Sequence, residues 1–301
     1  MTERILVIKL AALGDFVQAF GPFAAIRRHH PNAEITLLTT KLFAGFAEES
    51  PWFDRVWSDG RPSWWDLGAV WRLARRLRSA GFRRVYDLQT SGRSSRYRTF
   101  VGHRAEWSGI APGASHPHRD PRRDHIHTLD RQRGQLVAAG LTDFPTPDLD
   151  WLDADVSGLG LPDRFALLLP GASAQRPGKR WPAERFGALA SRLDLPSVIC
   201  GIASEAPLAR EIQRWAPGAI DLTGRTDLRQ LAAVARRASQ TIGNDSGPTH
   251  LAAAMGCPTV ALFGSESDPA LCAPRGRAVT ILRRQPISSI SEEDVLQAIG
   301  G

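Results

Sequence analysis

Twice along the chain a near-continuous apolar run stops at a small-residue turn and gives way to a helix-like segment. Residues 5–10 read ILVIKL and run into AALGD; residues 165–171 read FALLLPG and run into ASAQRPGKRWP. Such a run, without alternation, marks a strand covered on both faces, as in a parallel sheet. Helix and strand patterns alternate after each one. In the first half, residues 16–29 read as helix with a break at Gly21-Pro22, 33–40 as strand, 64–82 as an amphipathic helix closed by Gly81, and 83–90 as strand. In the second half, helices are expected at 182–193, 204–215, 228–238, 248–256 and 290–299, and strands at 196–201, 239–245 and 258–264. The pattern predicts an α/β chain of two doubly wound, Rossmann-like domains. A turn-rich connector at 142–162 separates them, giving expected domains 1–155 and 156–301. Ligands of open α/β sheets lie beyond the carboxyl ends of the strands, so a cleft between two such edges is the expected site.

Residues 109–133, rich in Pro, Gly, His and Arg, interrupt the alternation and read as a long surface loop before a helix at 129–139. Five of the eight histidines fall at 103–127, but no regularly spaced cysteine or carboxylate partners accompany them, so no metal site is assigned. The net charge is +7, nearly all of it from arginine; Lys9, Lys41 and Lys179 are the only lysines. A basic balance of this size calls for an anionic partner: nucleic acid, phosphorylated lipid or a membrane surface. No helix-turn-helix, zinc-finger or RNA-recognition signature supports nucleic acid. Apolar runs fall short of the roughly 18–20 residues of a membrane span, so a membrane would be met peripherally. Cys200, Cys257 and Cys272 lack CxxC spacing, consistent with a reduced, cytoplasmic protein.

Four features could carry chemistry. In GNDSGPTHLAAAMG, residues 243–256, a strand runs into a helix with Pro248 near its start. Unpaired N–H groups there favour a phosphate; the alternative is ordinary capping by Asp245 or Ser246, with His250 packed. In PGASAQRPGKRWP, residues 170–182, Lys179 and Arg180 stand before a helix, without the spacing of a P-loop. Where arginine is used almost everywhere, a lysine suggests a need for a compact point charge. In AALGD, Gly14 allows a tight turn and Asp15 opens a helix, as a cap or as a positioned carboxylate; no GxGxxG follows, against a dinucleotide oxidoreductase. Finally, Arg93, Arg96 and Arg98 follow the strand at 83–90 in a segment read as a loop, where guanidinium forks could grip carboxylates or phosphates.

Three ordered motifs, ILVIKLAALGDFVQAF, PGASAQRPGKRWPAERFGALA and GNDSGPTHLAAAMGCPTVALFGSESDP, resemble glycosyltransferase family 9, the bacterial heptosyltransferases of lipopolysaccharide core assembly. The resemblance runs almost end to end. It implies the GT-B fold, with an acceptor-binding first domain and a nucleotide-sugar-binding second domain. It also implies inverting transfer of a heptose or similar sugar from an ADP-activated donor, with neither metal nor cofactor, to an anionic lipid-linked saccharide on the cytoplasmic face of the inner membrane. By the same resemblance Asp15 is the general base, beside Gly14. Lys179 is the cation on the donor diphosphate, and Glu205 is the acid holding the nucleotide ribose. Gly171, Ser173, Asp245, Ser246, Gly247 and His250 complete the donor site. Where relatives often have Asp-Thr-Gly, this chain keeps the hydroxyl as Asp245-Ser246-Gly247. Arg93, Arg96 and Arg98 suit an anionic acceptor. A UDP- or GDP-linked donor and a non-catalytic basic glycolipid-binding module are the alternatives, and a monomer is compatible with the sequence.

Overall fold

A computed structural model describes residues 2–300. The chain divides into two compact units, Met1–Trp151 and Leu152–Gly301, inside the turn-rich connector. The first unit holds a parallel sheet in the order β3-β2-β1-β4-β5-β6. Its strands are β1 (Arg4–Ile8), β2 (Glu34–Leu38), β3 (Arg55–Trp57), β4 (Arg84–Asp87), β5 (Glu106–Gly109) and β6 (His116–Pro117). Strand β1 pairs on both sides, Ile5 with Ile35 and with Arg84. Such a strand has both faces covered, and Ile5 to Ile8 are fully buried. The second unit holds β7 (Ala166–Leu169), β8 (Ser197–Ile199), β9 (Ile220–Asp221), β10 (Gln240–Asn244), β11 (Thr259–Phe263) and β12 (Val279–Arg283), all parallel. Read from its far edge, its order β9-β8-β7-β10-β11-β12 repeats that of the first sheet.

In the first unit the helices are α1 (Leu13–Val17), α2 (Phe20–His29), α3 (Lys41–Glu48), α4 (Leu67–Ser79), α5 (Gly92–Val101) and α6 (Thr128–Ala138). Phe16, Phe20, Phe23, Phe43, Phe46 and Trp52 interlock into an aromatic layer, with the Phe16 and Phe43 rings stacked at 5.2 Å. Leu73 and Leu77 of α4 join Val85, Tyr97 and Trp107 in a separate cluster. In the second unit α7 (Ala183–Ala190), α8 (Ala206–Trp215), α9 (Leu228–Arg237), α10 (Gly247–Ala254), α11 (Pro269–Cys272) and α12 (Glu292–Gly300) surround the sheet. Trp181, Phe186, Ile212, Leu262 and Val295 lie in its core.

Three expectations need correction. The helix expected at 16–29 breaks at Gln18 and Ala19, not at Gly21-Pro22; Pro22 falls in the first turn of α2, where a missing N–H costs nothing. The arginines at 93–98 lie on helix α5, not in a loop. Ser91 Oγ accepts the Ser94 N–H (3.2 Å), and Ser94 Oγ accepts the Ser91 N–H (3.0 Å), a capping box that starts the helix. The stretch 109–133 is not continuous loop, since β6 pairs with β5 at Ser108 and His116. Among the described residues no helix is long and apolar enough to cross a membrane.

Candidate functional site

Both sheets reverse their strand order beside their first strand, between β1 and β4 and between β7 and β10. At such a reversal the connections leave in opposite directions and a crevice opens beyond the carboxyl ends. The residues singled out for chemistry in AALGD and NDSG fall at these two points.

In the first unit, Gln89 Oε1 accepts the N–H groups of Leu10 (2.7 Å) and Ala11 (3.2 Å), tying the exit of β4 to the exit of β1. Asp15 stands at the third position of α1, and Ala12 holds the cap position; Asp15 Oδ2 accepts the Ala12 N–H at 3.2 Å. Its carboxylate therefore reaches back and is oriented by the backbone, without being the cap itself. The neighbouring pocket is lined by Lys9, Asp15, Thr90, Arg123, Arg131 and Gln135, among others. Lys9 Nζ donates to the Leu88 carbonyl (3.3 Å). Burial lowers the Lys9 pKa, while the Asp15 and Asp87 charges oppose that shift. Asp87 is fully buried and its carboxyl is pushed up to about 6 by desolvation, against the hydrogen bond from the Thr90 N–H and the neighbouring Ser94 and Gln89 dipoles. Thr90, whose N–H reaches Asp87 Oδ1 (3.0 Å), has φ 44°. A β-branched residue in that region is strained, and strain of this kind gathers at functional sites.

Lys9, Thr90, Arg123, Arg131 and Gln135 were not singled out by the sequence reading. They meet only through strand register and the docking of α6, whose Gln135 donates to the Asp87 carbonyl (2.9 Å). The three arginines of α5 do not act together. Arg93 and Arg96 lie against the Trp64 ring at 4.5 and 5.5 Å, and Arg93 also donates to the Pro62 carbonyl. Arg98 clamps the carbonyls of Pro112 (3.2 Å) and Gly113 (2.5 Å). The histidines of 103–127 separate: His127 Nδ1 accepts the Leu129 N–H at the start of α6, and His116 lies 3.5 Å from Glu106. Among the described residues no three His, Cys, Asp or Glu side chains converge as a metal site.

In the second unit, Ser246, not Asp245, caps α10, and its side chain makes no capping hydrogen bond. The first-turn N–H groups have no intrahelical partner, Pro248 has none, and the dipole is positive there. Asp245 is 6% exposed, and its Oδ2 accepts from Lys179 Nζ at 2.5 Å. His250, buried on the same helix, lies 3.7 Å from Oδ1. Burial pushes the Asp245 carboxyl up, but the nearby His250 and the hydrogen bond and charge of Lys179 outweigh it, bringing the pKa down to about 2. Asn244 pins the surrounding backbone, accepting the Trp181 N–H (3.0 Å) and donating to the Pro170 carbonyl (2.7 Å). Arg180 is occupied by the Ala172 carbonyl. Glu205 accepts the Ile202 N–H (2.9 Å), and its carboxylate fills the space where a Cβ on Gly171 or Gly201 would stand. Ser173 is exposed and its hydroxyl donates to Gln175. Lys179, Asp245, Ser246, Gly247 and His250 are thus gathered at one helix start, and Gly171 and Glu205 meet at the exits of β7 and β8.

The sequence model of glycosyltransferase family 9 (heptosyltransferase) matches residues 70–299. Over 99% of this chain and 87% of its own length, the lipopolysaccharide core heptosyltransferase OpsX of Haemophilus influenzae is 21% identical. The crystal structure of a family 9 glycosyl transferase from Veillonella parvula superposes with a TM-score of 0.84 at 25% identity, covering 99% of this chain and 96% of that one. The E. coli heptosyltransferase WaaC, solved with ADP, superposes with a TM-score of 0.77 at 18% identity, covering 99% of both chains. The two parallel sheets are those of the GT-B fold of heptosyltransferases. The chain therefore belongs to glycosyltransferase family 9, the heptosyltransferases, and is a glycosyltransferase.

Proposed function

We propose that the chain transfers a heptose, with inversion, from an ADP-activated donor to an anionic lipid-linked core saccharide, peripherally at the cytoplasmic face of the inner membrane. The observation that carries this reading is the Lys179–Asp245 pair at the start of α10. A buried carboxylate holds an ammonium where helix N–H groups already favour phosphate. The acceptor hydroxyl oxygen attacks the anomeric carbon, the bond from that carbon to the diphosphate oxygen breaks, and the hydroxyl proton passes to Asp15. The departing nucleoside diphosphate gains negative charge. Lys179 and the α10 amides stabilise it as it forms, with no metal needed for that task. Glu205 takes the ribose hydroxyls. Arg123 and Arg131, which line the pocket with Asp15, keep that side of the reaction cationic, suited to an acidic acceptor.

Calorimetric titration with ADP, UDP and GDP tests the donor: ADP should bind best, and a preference for UDP or GDP would replace it. Lys179→Ala should weaken ADP binding by about 2 kcal/mol, roughly thirtyfold. Asp15→Ala should cut transfer by about 10²–10⁴-fold while ADP affinity stays unchanged. Wild-type turnover in that variant would remove Asp15 from the base role.

A further inference from the structure

The exposed apolar side chains of the first unit are unevenly placed. Leu42, Trp65, Leu67, Trp71, Ile110 and Val137 are its large exposed hydrophobics, and all but Val137 follow the carboxyl end of a strand. Leu42 lies just after β2, Ile110 just after β5, and Trp65, Leu67 and Trp71 between β3 and the second turn of α4. In a parallel sheet these connections share one edge, which is also the edge that carries Asp15 and Lys9. Trp65 is 94% exposed and Leu67 75%.

Helix α4 extends this apolar edge with charge. Leu67, Trp71, Arg75 and Arg78 recur at spacings of four, four and three, so they form one stripe, opposite the buried Leu73 and Leu77. Between its Asp66 cap and Ser79 the helix contains no acid. Arg76 is taken up by Asp59 and the Trp57 ring, but Arg72, Arg75 and Arg78 have no carboxylate partner among the described residues. The Arg75 guanidinium lies 5.4 Å from the Trp71 ring. Arg78 also donates to the Thr99 carbonyl (3.3 Å), which leaves its charge unanswered. Tryptophan beside arginine that lacks a carboxylate partner suits a surface that is apolar a few ångströms down and anionic at the top.

We propose that Trp65, Leu67, Trp71 and the Arg72–Arg75–Arg78 face of α4 form a docking surface for an anionic phospholipid bilayer. Charge complementarity selects the bilayer as occupant, since the apolar residues continue into a helix face of arginines that have no carboxylate partner among the described residues. Docking here would hold the carboxyl edge of the first sheet, with its candidate acceptor site, against the surface in which a lipid-linked acceptor is anchored. The inference deepens the proposed lipid-linked acceptor, and its test is kept separate from it.

The full chain is sedimented with vesicles of phosphatidylcholine, with or without phosphatidylglycerol, while transfer is assayed on a water-soluble truncated core saccharide. Wild type should bind the phosphatidylglycerol vesicles and be released by raised salt. The Trp65→Ser/Trp71→Ser variant should lose about tenfold or more of this binding. Arg75→Ala/Arg78→Ala should lose about fivefold per arginine. Both variants should keep wild-type circular dichroism and wild-type turnover on the soluble acceptor. Unchanged binding in the tryptophan variant, or equal partitioning to neutral vesicles, would overturn the proposal. So would wild-type self-association that the tryptophan variant abolishes, in the absence of vesicle binding, because the face would then belong to a second copy. If vesicle binding follows the prediction but no soluble acceptor is turned over, the docking surface stands and the proposed reaction falls.

Discussion

Asp245 is almost out of water, yet its carboxyl is held at about 2, because Lys179 and His250 answer its charge at close range. An acid whose folded pKa lies below its unfolded value stabilises the fold above the unfolded value and loses that contribution as pH falls through the folded one. Stability should therefore drop by about 2 kcal/mol between roughly pH 4 and 2 on account of this one group. In Asp245→Asn that portion of the acid loss should be missing, measured by denaturant titration across the range. Asp15 illustrates the limits of local reading. The sequence offered cap or catalyst; the structure gives the cap position to Ala12 and turns the Asp15 carboxylate back onto the Ala12 N–H. Asp15, Lys179 and Asp245 were legible because each adjoins a turn signal. Lys9 was not, since within ILVIKL it reads only as an interruption of a strand. Its meaning depends on the β1–β4 register that sets it near Asp87 and Leu88.

Among elements, the connections do most of the positioning. A Cβ on Gly264, at the exit of β11, would stand 2.1 Å from the Gly178 carbonyl, inside the turn that presents Lys179. That turn is held from the same side by Glu266, which accepts the Gly178 N–H (3.2 Å). Gly264→Ala should displace the turn and weaken ADP binding more than tenfold, with a smaller effect on thermal stability, read by calorimetry on one sample. The apolar strands β1, β7 and β11 were visible as runs. Strands β3 and β9 have only three and two residues, and β12 is a half-exposed edge strand, so none has the length or burial to leave a clear pattern. Helix α5 was hidden because GRSSRYRTFV has no apolar stripe; its start was written instead in the Ser91–Ser94 capping box.

At the scale of the whole molecule, each unit has its own sheet and its own buried core. Residues 152–301 expressed alone should fold and bind ADP. In the full chain, ADP at about a hundred times its Kd should stabilise the second unit by about 2.7 kcal/mol, read as hydrogen-exchange protection that rises in that unit first. Protection confined to the first unit would reverse the assignment of donor and acceptor. The tandem architecture was legible because the same handover from apolar run to small-residue turn occurs twice. The repeated strand order has a consequence for the two ligands. Each candidate site draws on strand exits of a single sheet: β1 and β4 for one, and β7, β8, β10 and β11 for the other. On the proposed function the later exits meet the nucleotide and the earlier ones the acceptor, so substitutions at one set of exits should change one ligand while leaving the strand exits that meet the other intact.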